Sequence, residues 1–196
     1  EDIDLDSSIN ERNQKIIELF KKLDSYLLEN IEIVISSQIP LGTSKKIIEA
    51  CRKKIIKKRK FFIVPENLQL GEGTDSFLNQ RRFIIGSEKE IYAKKSKIFL
   101  ILSKITEEIH IMSYASAELS KHALNTFLAL NISFGNEIGR IAKLYGATSL
   151  DIIKSLKSDP RVSDKAYIIP GSAFHGGTLK RDLKTLEWIS EHNNLK

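Results

Sequence analysis

One long amphipathic segment, residues 116–145, restricts the fold more than any other part of the sequence. Its apolar side chains recur at steps of three and four residues, the spacing of one helix face: Leu119, Ala123, Phe127, Leu130, Phe134, Ile138 and Ile141. A helix of this length spans about 45 Å, which exceeds the width of a small domain. Ser116 is a candidate N-cap and Gly146 a candidate C-cap. We therefore expect one helix that crosses between two lobes or packs against a partner.

Size and composition indicate an ordinary globular chain. The 196 residues suffice for one large or two small domains, and 41% are hydrophobic. No apolar run approaches the ~18 residues that span a bilayer, and the acidic N-terminus is unlike a signal peptide. The first residue is Glu, from which we expect a fragment, a processed chain or a trimmed one. The single cysteine, Cys51, excludes an intrachain disulfide framework and a cysteine-based zinc cluster, and predicts a cytoplasmic setting without a metal site.

A basic run accounts for much of the net charge of +6: Lys53, Lys54, Lys57, Lys58, Arg59 and Lys60. These cations alternate with isoleucines at helical spacing, which is typical of a surface helix with a solvated basic face. Nucleic-acid binding is the less favoured interpretation, because no helix-turn-helix, zinc finger or aromatic stacking motif accompanies the run.

The first half of the chain alternates helices with short apolar runs. Residues 11–28 predict an amphipathic helix, 31–35 a buried strand, 45–60 a helix and 61–64 a second buried strand. Thr43 or Ser44 is expected to cap the helix of residues 45–60. Strand, helix and strand in this order indicate a βαβ unit in a parallel sheet.

The remaining elements become helical towards the C-terminus. A short strand is predicted at 82–85, a helix capped by Ser87 at 88–104, and an apolar run at 109–112. After the long helix, further helices are expected from residue 149 to before Pro160 and from about 179 to 191. The fold class is therefore α/β up to residue 112 followed by an all-helical part in residues 113–196.

Two sites follow predicted strands. The turn of residues 36–43 contains Gln38 and Pro40 at the carboxyl end of a parallel strand, where ligands bind in open α/β sheets. An ordinary strand-to-helix connection explains this turn equally well. Glu66 follows the next strand, where its carboxylate can orient a water or a substrate hydroxyl, although a loop glutamate is more often only solvated.

A glycine-rich loop, residues 170–182, is the third candidate site. Glycines let backbone amides approach an anion, and the following helix N-terminus adds partial positive charge, which favours a phosphate or sugar ligand. His175 is more simply a surface residue, and Arg181 with Asp182 a charge pair of the first turn. On the long helix, Lys121 and Asn125 are four residues apart and share a face.

These segments resemble, in order and spacing, the UDP-glucose/GDP-mannose dehydrogenase family. The match is best over residues 117–138, AELSKHALNTFLALNISFGNEI, and it also covers residues 37–43, 65–86 and 170–182. It extends over nearly the whole chain but only the middle of the family's length. The family's G-x-G-x-x-G fingerprint and its carboxy-terminal nucleotide-binding domain are absent from these 196 residues. The resemblance implies the C-terminal part of a Rossmann-like NAD-binding domain, followed by the central helical domain.

The resemblance implies a role for each matching residue. Family members oxidise the C6 alcohol of a UDP-sugar to an acid in two hydride transfers to NAD, a reaction of polysaccharide biosynthesis. Lys121 and Asn125 match the residues that stabilise the oxyanion and hold water, Glu66 the acid–base glutamate, and Asp182 the loop aspartate.

Binding roles follow from the same resemblance. Gln38 and Pro40 fall on the cofactor side, and Phe174, Gly176 and Gly177 on the substrate loop. Arg161 matches an arginine that reaches the substrate of the neighbouring subunit. The long helix would then form a homodimer interface.

One departure bears directly on the chemistry. Thr178 occupies the position of the family's catalytic cysteine, whose thiol forms the thiohemiacetal from which the second hydride leaves. A threonine hydroxyl is a far weaker nucleophile without a dedicated base. The sequence thus predicts a dehydrogenase-like chain impaired in the second oxidation. The alternative is a non-catalytic dimerisation or interaction module, or a pseudoenzyme.

Overall fold

The computed structural model describes residues 9–24, 26–28, 30–51, 60–66, 73–174 and 177–195. Within these ranges the strands are β1 (Glu32–Ile35), β2 (Lys60–Ile63), β3 (Phe83–Gly86) and β4 (Ile109–Met112). The helices are α1 (Ile9–Asp24), α2 (Thr43–Cys51), α3 (Gly73–Leu78), α4 (Glu90–Lys94), α5 (Lys97–Leu102), α6 (Tyr114–Leu144), α7 (Ser149–Ser158) and α8 (Gly177–His192). The predicted class, an α/β part followed by helices built on one long helix, is confirmed.

The chain divides into two compact units, Glu1–Lys121 and His122–Lys196. The first contains the whole sheet, and α6 begins in the first unit and continues in the second. The domain boundary after residue 112 stays a prediction. No helix in the described ranges combines the length and the apolar character that crossing a membrane requires.

The sheet of the first unit has the strand order β1-β2-β3-β4. β1 and β2 are parallel, in register from Glu32 opposite Lys60 to Ile35 opposite Ile63, which confirms the predicted βαβ unit. β3 and β4 are also parallel. β2 and β3 are antiparallel and pair at Ile63 and Gly86, the last residue of each strand, so the sheet is not parallel throughout.

Helices cover both faces of this sheet. Successive side chains of each strand point to opposite faces, so each strand contributes to two cores. One core cluster joins the sheet to α1, α2 and the start of α6: Ile16, Ile35, Ile39, Ile47, Phe61, Ile63, Ile84 and Ala117. The other lies beneath α4 and α5: Phe62, Val64, Phe83, Ile85, Ala93 and Leu102. The strands are therefore apolar on both faces, which explains their short continuous hydrophobic runs.

Three predicted helices differ from the structure. The helix predicted for residues 11–28 ends at Asp24, and residues 26–28 are not helical. α2 is described to Cys51, and residues 52–59 of the basic run lie outside the described residues. Extension of that helix to Lys60 is wrong, because Lys60 lies in β2, where its Nζ is 3.7 Å from Glu32 Oε1. The single helix predicted for 88–104 is also wrong. Ser96 Oγ accepts a hydrogen bond from Phe99 N at 3.0 Å and thereby caps α5 as a separate helix.

The predicted caps also differ in detail. α6 begins at Tyr114 rather than Ser116, and Ser113 Oγ accepts the hydrogen bond of Ser116 N at 3.1 Å. Ser87 Oγ donates to Lys89 O at 3.0 Å, and α4 starts only at Glu90. Polar residues adjacent to a helix start compete for the capping role, so the sequence alone leaves the start uncertain by a few residues.

Within the second unit, α6 turns its small and polar residues inwards and its large apolar residues outwards. The buried residues are His122, Asn125, Ala129, Gly135 and Ala142. Large side chains of the predicted apolar stripe are exposed: Phe127, Leu130, Phe134 and Ile141. Burial on α6 is therefore governed by close backbone approach and hydrogen bonding.

Two glycines of α6 allow the segment before α8 to pack closely against this helix. A Cβ added at Gly135 would lie 2.3 Å from Ile168 O, and one added at Gly139 would lie 2.8 Å from the Pro170 Cβ. These separations are far shorter than van der Waals contact. The segment around residues 168–170 can therefore pack on α6 only because these two positions have no side chain.

We predict that Gly135→Ala lowers the free energy of unfolding by about 1–3 kcal/mol, because its Cβ must displace the Ile168 carbonyl. Gly171→Ala is the matched control, since a Cβ there would have no atom within 4 Å. Urea denaturation of both variants measures the difference. Equal stability of the two variants would contradict the close packing of Ile168 on α6.

Candidate functional site

The carboxylate of Glu118 fixes the turn between β1 and α2. Its Oε2 accepts a hydrogen bond from Gly42 N at 2.6 Å, and its Oε1 accepts one from Ser44 N at 2.7 Å. Glu118 is only 3% exposed. A negative charge at a helix N-terminus is stabilised by the unpaired amides and by the helix dipole. Glu118, one turn into α6, therefore caps α2.

This cap corrects one expectation about the turn of residues 36–43. The N-terminal amides of α2 were expected to be open to a ligand, but Glu118 already occupies those of Gly42 and Ser44. The predicted side-chain cap by Thr43 or Ser44 is therefore not needed. The Thr43 hydroxyl instead donates a hydrogen bond to the Pro40 carbonyl at 2.5 Å. An anion cannot bind these two amides without displacing the carboxylate.

Gln38 and Pro40, the predicted cofactor-side residues, lie in this turn. Pro40 is buried, and its carbonyl also accepts a hydrogen bond from Thr43 N at 3.1 Å. Gln38 is partly exposed. Of the two, Gln38 is the one that presents polar side-chain atoms at the end of β1.

Glu66 lies beside the same turn. It follows β2, and Ser36, which follows β1, donates its hydroxyl to Glu66 Oε2 at 3.4 Å. Both residues are exposed. Because β1 and β2 are parallel, their carboxyl ends meet at one edge, and the structure brings the turn of residues 36–43 and Glu66 together there.

Asn125 and Asp182 form the centre of the candidate site in the second unit. Asn125 Nδ2 donates a short hydrogen bond to Asp182 Oδ2. His122 Nδ1 lies 3.1 Å from Asp182 Oδ1, and Arg181 Nε lies 3.6 Å from the same oxygen. Asn125 is 4% exposed and Asp182 is fully buried. Lys121 is the last residue of the first unit and precedes Asn125 by one turn of α6.

The loop before α8 is held by the side chain of Asn136. Its Oδ1 accepts a hydrogen bond from Gly171 N at 2.7 Å, and its Nδ2 donates to Ser172 O at 3.2 Å. Phe174 is half-buried in this loop. These two hydrogen bonds fix the main chain of the loop at Gly171 and Ser172.

Thr178 and Gly177 lie in the first turn of α8, where both are exposed. Asp182 follows Thr178 by four residues, so both belong to one helix face. Gly176 and His175 of the predicted loop lie outside the described residues. The structure thus places the exposed Thr178 one turn from the buried carboxylate.

Arg161 lies in the loop that follows α7. Its main-chain N and its Nε both donate to Asp159 Oδ1 at 2.9 Å, and Nη2 donates to Oδ2 at 2.8 Å. These hydrogen bonds from Arg161 lower the pKa of the Asp159 carboxyl. The fork holds an exposed guanidinium in one orientation, with its other N–H groups directed to solvent.

Three polar residues of α6 make contacts at these sites that the sequence patterns did not indicate: Glu118, His122 and Asn136. Each is spaced from Asn125 by a multiple of about one helical turn, which was the available signal. The burial of Glu118 and His122 was not readable from the sequence, because polar residues on a helix are normally exposed. Within the described ranges, no group of three or more His, Cys, Asp or Glu residues is arranged to hold a metal ion.

We predict that Glu118→Gln lowers the free energy of unfolding by about 2 kcal/mol, because one of two buried amides then faces an NH₂ group. Hydrogen exchange at Gly42 or Ser44 should accelerate. Glu137→Gln, at an exposed ion pair with Arg140, serves as the control and should change stability by less than about 0.5 kcal/mol. Unchanged exchange at both amides in Glu118→Gln would refute the capping role.

Comparison with known proteins places the second half of the chain in a defined family. Residues 115–196 match the central domain of the UDP-glucose/GDP-mannose dehydrogenase family. A putative UDP-glucose 6-dehydrogenase of Bacillus subtilis, YtcA, is 31% identical over 83% of this chain and 38% of its own length. A UDP-glucose 6-dehydrogenase of Pseudomonas aeruginosa is 29% identical over 87% of this chain and 39% of its own length. The chain thus spans about two fifths of these relatives.

The fold agrees with these matches. A UDP-glucose dehydrogenase from the hyperthermophilic archaeon Pyrobaculum islandicum superposes with a TM-score of 0.79, covering 93% of this chain and 42% of that one at 24% identity. Structural similarity at 24% identity shows a common fold. The family relationship rests on the sequence matches. Residues 115–196 belong to the UDP-glucose/GDP-mannose dehydrogenase family as its central domain, and most of the chain is similar in sequence to UDP-glucose 6-dehydrogenases.

Proposed function

We propose that the gene product carrying this chain oxidises the C6 alcohol of a UDP-sugar with NAD and releases the aldehyde as its main product. The observation that carries this proposal is the buried Asn125–Asp182 pair one turn from Thr178. Kinship with a nucleotide-sugar dehydrogenase family supports the first oxidation. Thr178 at the cysteine position argues against the second.

The first oxidation requires groups that manage charge at the substrate oxygen. The C6 hydroxyl loses its proton while a hydride leaves C6 for NAD, so negative charge develops on oxygen before the carbonyl forms. Lys121 would offset that charge, and the carboxamide of Asn125 would hydrogen-bond the oxygen or a water. The resemblance gives Glu66, exposed and next to the turn after β1, an acid–base role in the same oxidation.

NAD would supply the hydride acceptor. The residues at the end of β1 fit contacts to the cofactor other than those to its diphosphate. Gln38 and the exposed Ser36 offer hydrogen-bonding groups at the carboxyl edge of the sheet. The N-terminus of α2 does not fit a diphosphate, because Glu118 occupies its amides. The diphosphate would therefore bind elsewhere in the gene product.

The second oxidation would fail for want of a nucleophile. A thiolate adds to an aldehyde to give a thiohemiacetal, whereas the hydroxyl of threonine remains protonated at neutral pH and adds poorly. Thr178 is exposed in the first turn of α8, so its site is accessible to an aldehyde carbon. The single cysteine of the chain, Cys51, belongs to α2 in the other unit.

We also propose a cytoplasmic location, which this single cysteine supports.

We predict that the complete gene product forms about one NADH per UDP-glucose consumed, and that a hydrazine reagent traps the aldehyde. Thr178→Cys should raise the yield towards two NADH per sugar with an acid product, because the thiol step is restored. Thr178→Ser, which keeps a hydroxyl, is the control and should stay near one. Two NADH per sugar and an acid product from the unaltered protein would overturn the proposed arrest at the aldehyde.

We further propose that the chain dimerises through the exposed apolar stripe of α6. Phe127 is 61% exposed and Phe134 is 46% exposed, on one face of the same helix. Contiguous apolar surface of this kind is normally covered by a partner. This surface is also the observation that favours the second candidate function, a non-catalytic dimerisation module.

We predict that Phe134→Glu converts the dimeric chain to a monomer, because the apolar contact between copies acquires a buried charge. Sedimentation equilibrium measures the mass. Leu150→Glu, at an exposed leucine of α7, is the control and should leave the dimer intact. A strictly monomeric unaltered chain at high concentration would contradict the dimer.

A further inference from the structure

A buried histidine lies against the carboxylate at the centre of the candidate site. His122 is 2% exposed, and its Nδ1 lies 3.1 Å from Asp182 Oδ1. The other carboxylate oxygen, Oδ2, accepts the hydrogen bond from Asn125 Nδ2. His122 and Asn125 are three residues apart on α6, so one face of the helix contacts both oxygens of one carboxylate.

The chemistry of these groups fixes which atoms carry protons. An ionised carboxylate only accepts hydrogen bonds, so Nδ1 of His122 must carry its proton whether the ring is neutral or charged. The Arg181 guanidinium, 3.6 Å from Oδ1, favours the ionised carboxylate. By the same argument, Asn125 must direct its NH₂ group to Asp182, which leaves the Asn125 carbonyl oxygen directed elsewhere.

We infer that His122 is a positioning residue for the Asn125 carboxamide and acts through Asp182. The Nδ1–H of His122 holds Oδ1, which stops the carboxylate from rotating about its χ2 torsion. The fixed Oδ2 then holds the NH₂ of Asn125, and so presents the Asn125 carbonyl oxygen as the acceptor for a water or substrate hydroxyl. This role rests on the proposed function only for the identity of what Asn125 binds.

Four variants separate positioning from simple packing. His122→Asn places its NH₂ close to the position of the histidine Nδ1 and keeps the donor. His122→Gln places its NH₂ nearer the position of Nε2, and His122→Leu has no donor. His110→Leu is the matched control: His110 also pairs with a carboxylate at 3.1 Å, that of Glu108, but it is exposed.

The first readout is nitrogen NMR of the 196-residue chain and needs no activity. We expect His122 to carry its proton on Nδ1 and the Asn125 side-chain amide to exchange slowly. Slow exchange should persist in His122→Asn and be lost in His122→Gln and His122→Leu. An unprotonated Nδ1, or an Asn125 amide unchanged in all three variants, would overturn the inference.

The second readout is the rate of NADH formation by the complete gene product. We expect kcat to fall by roughly tenfold or more in His122→Gln and His122→Leu, the effect of losing a hydrogen bond to a charged group. His122→Asn should lose less than about threefold, KM for the UDP-sugar should change little, and His110→Leu should match the unaltered protein. A packing role would instead reduce the folded fraction of His122→Asn and His122→Gln alike.

The two proposals fail in different ways. A gene product that forms no NADH defeats the proposed function, and the NMR result then decides the role of His122 alone. If NADH forms but kcat per folded molecule is the same in His122→Asn and His122→Gln, the positioning role is refuted while the proposed function stands. If the leucine variant does not fold, the asparagine and glutamine pair still gives the comparison.

Discussion

Burial of polar side chains on α6 is the constraint on which the described structure depends. Glu118, His122 and Asn125 are each at most 4% exposed, so each must find a hydrogen-bond partner inside the protein. Their partners are the N-terminal turn of α2 and the carboxylate of α8. A helix that in most proteins would contribute apolar packing here contributes an ordered series of polar contacts, one per turn.

The same constraint explains why the apolar residues of α6 face outwards. A helix has a limited circumference, and in the second unit its inward face is taken by glycine, alanine and hydrogen-bonding residues. Gly135 and Gly139 allow the segment at Ile168 and Pro170 to approach the helix backbone. Phe127 and Phe134 then remain on the opposite face, exposed. The exposed stripe is thus a consequence of what α6 holds on its other side.

The sequence alone predicted the elements better than their contacts. Helical periodicity located α6 to within two residues of its start, and β-branched runs located β1 and β2, because both patterns are local. The division of residues 88–104 at Ser96 escaped notice, since apolar spacing continues across the cap. Antiparallel pairing of β2 and β3 was equally hidden, because pairing depends on residues distant in sequence. Helix spacing paired Asn125 with Lys121, and the resemblance implied roles for Asn125 and Asp182. Neither indicated His122, although it lies within residues 117–138 and contacts the same carboxylate.

The hydrogen bonds between Asn136 and the loop before α8 bear on which positions of this region tolerate substitution. Both hydrogen bonds of its carboxamide go to main-chain atoms, the amide of Gly171 and the carbonyl of Ser172. This attachment of the main chain therefore does not depend on the side chains of residues 171 and 172. Residue 178 lies in α8, beyond the segment that Asn136 holds, so a substitution there removes neither of these hydrogen bonds and the scaffold tolerates a change of side chain at the start of α8.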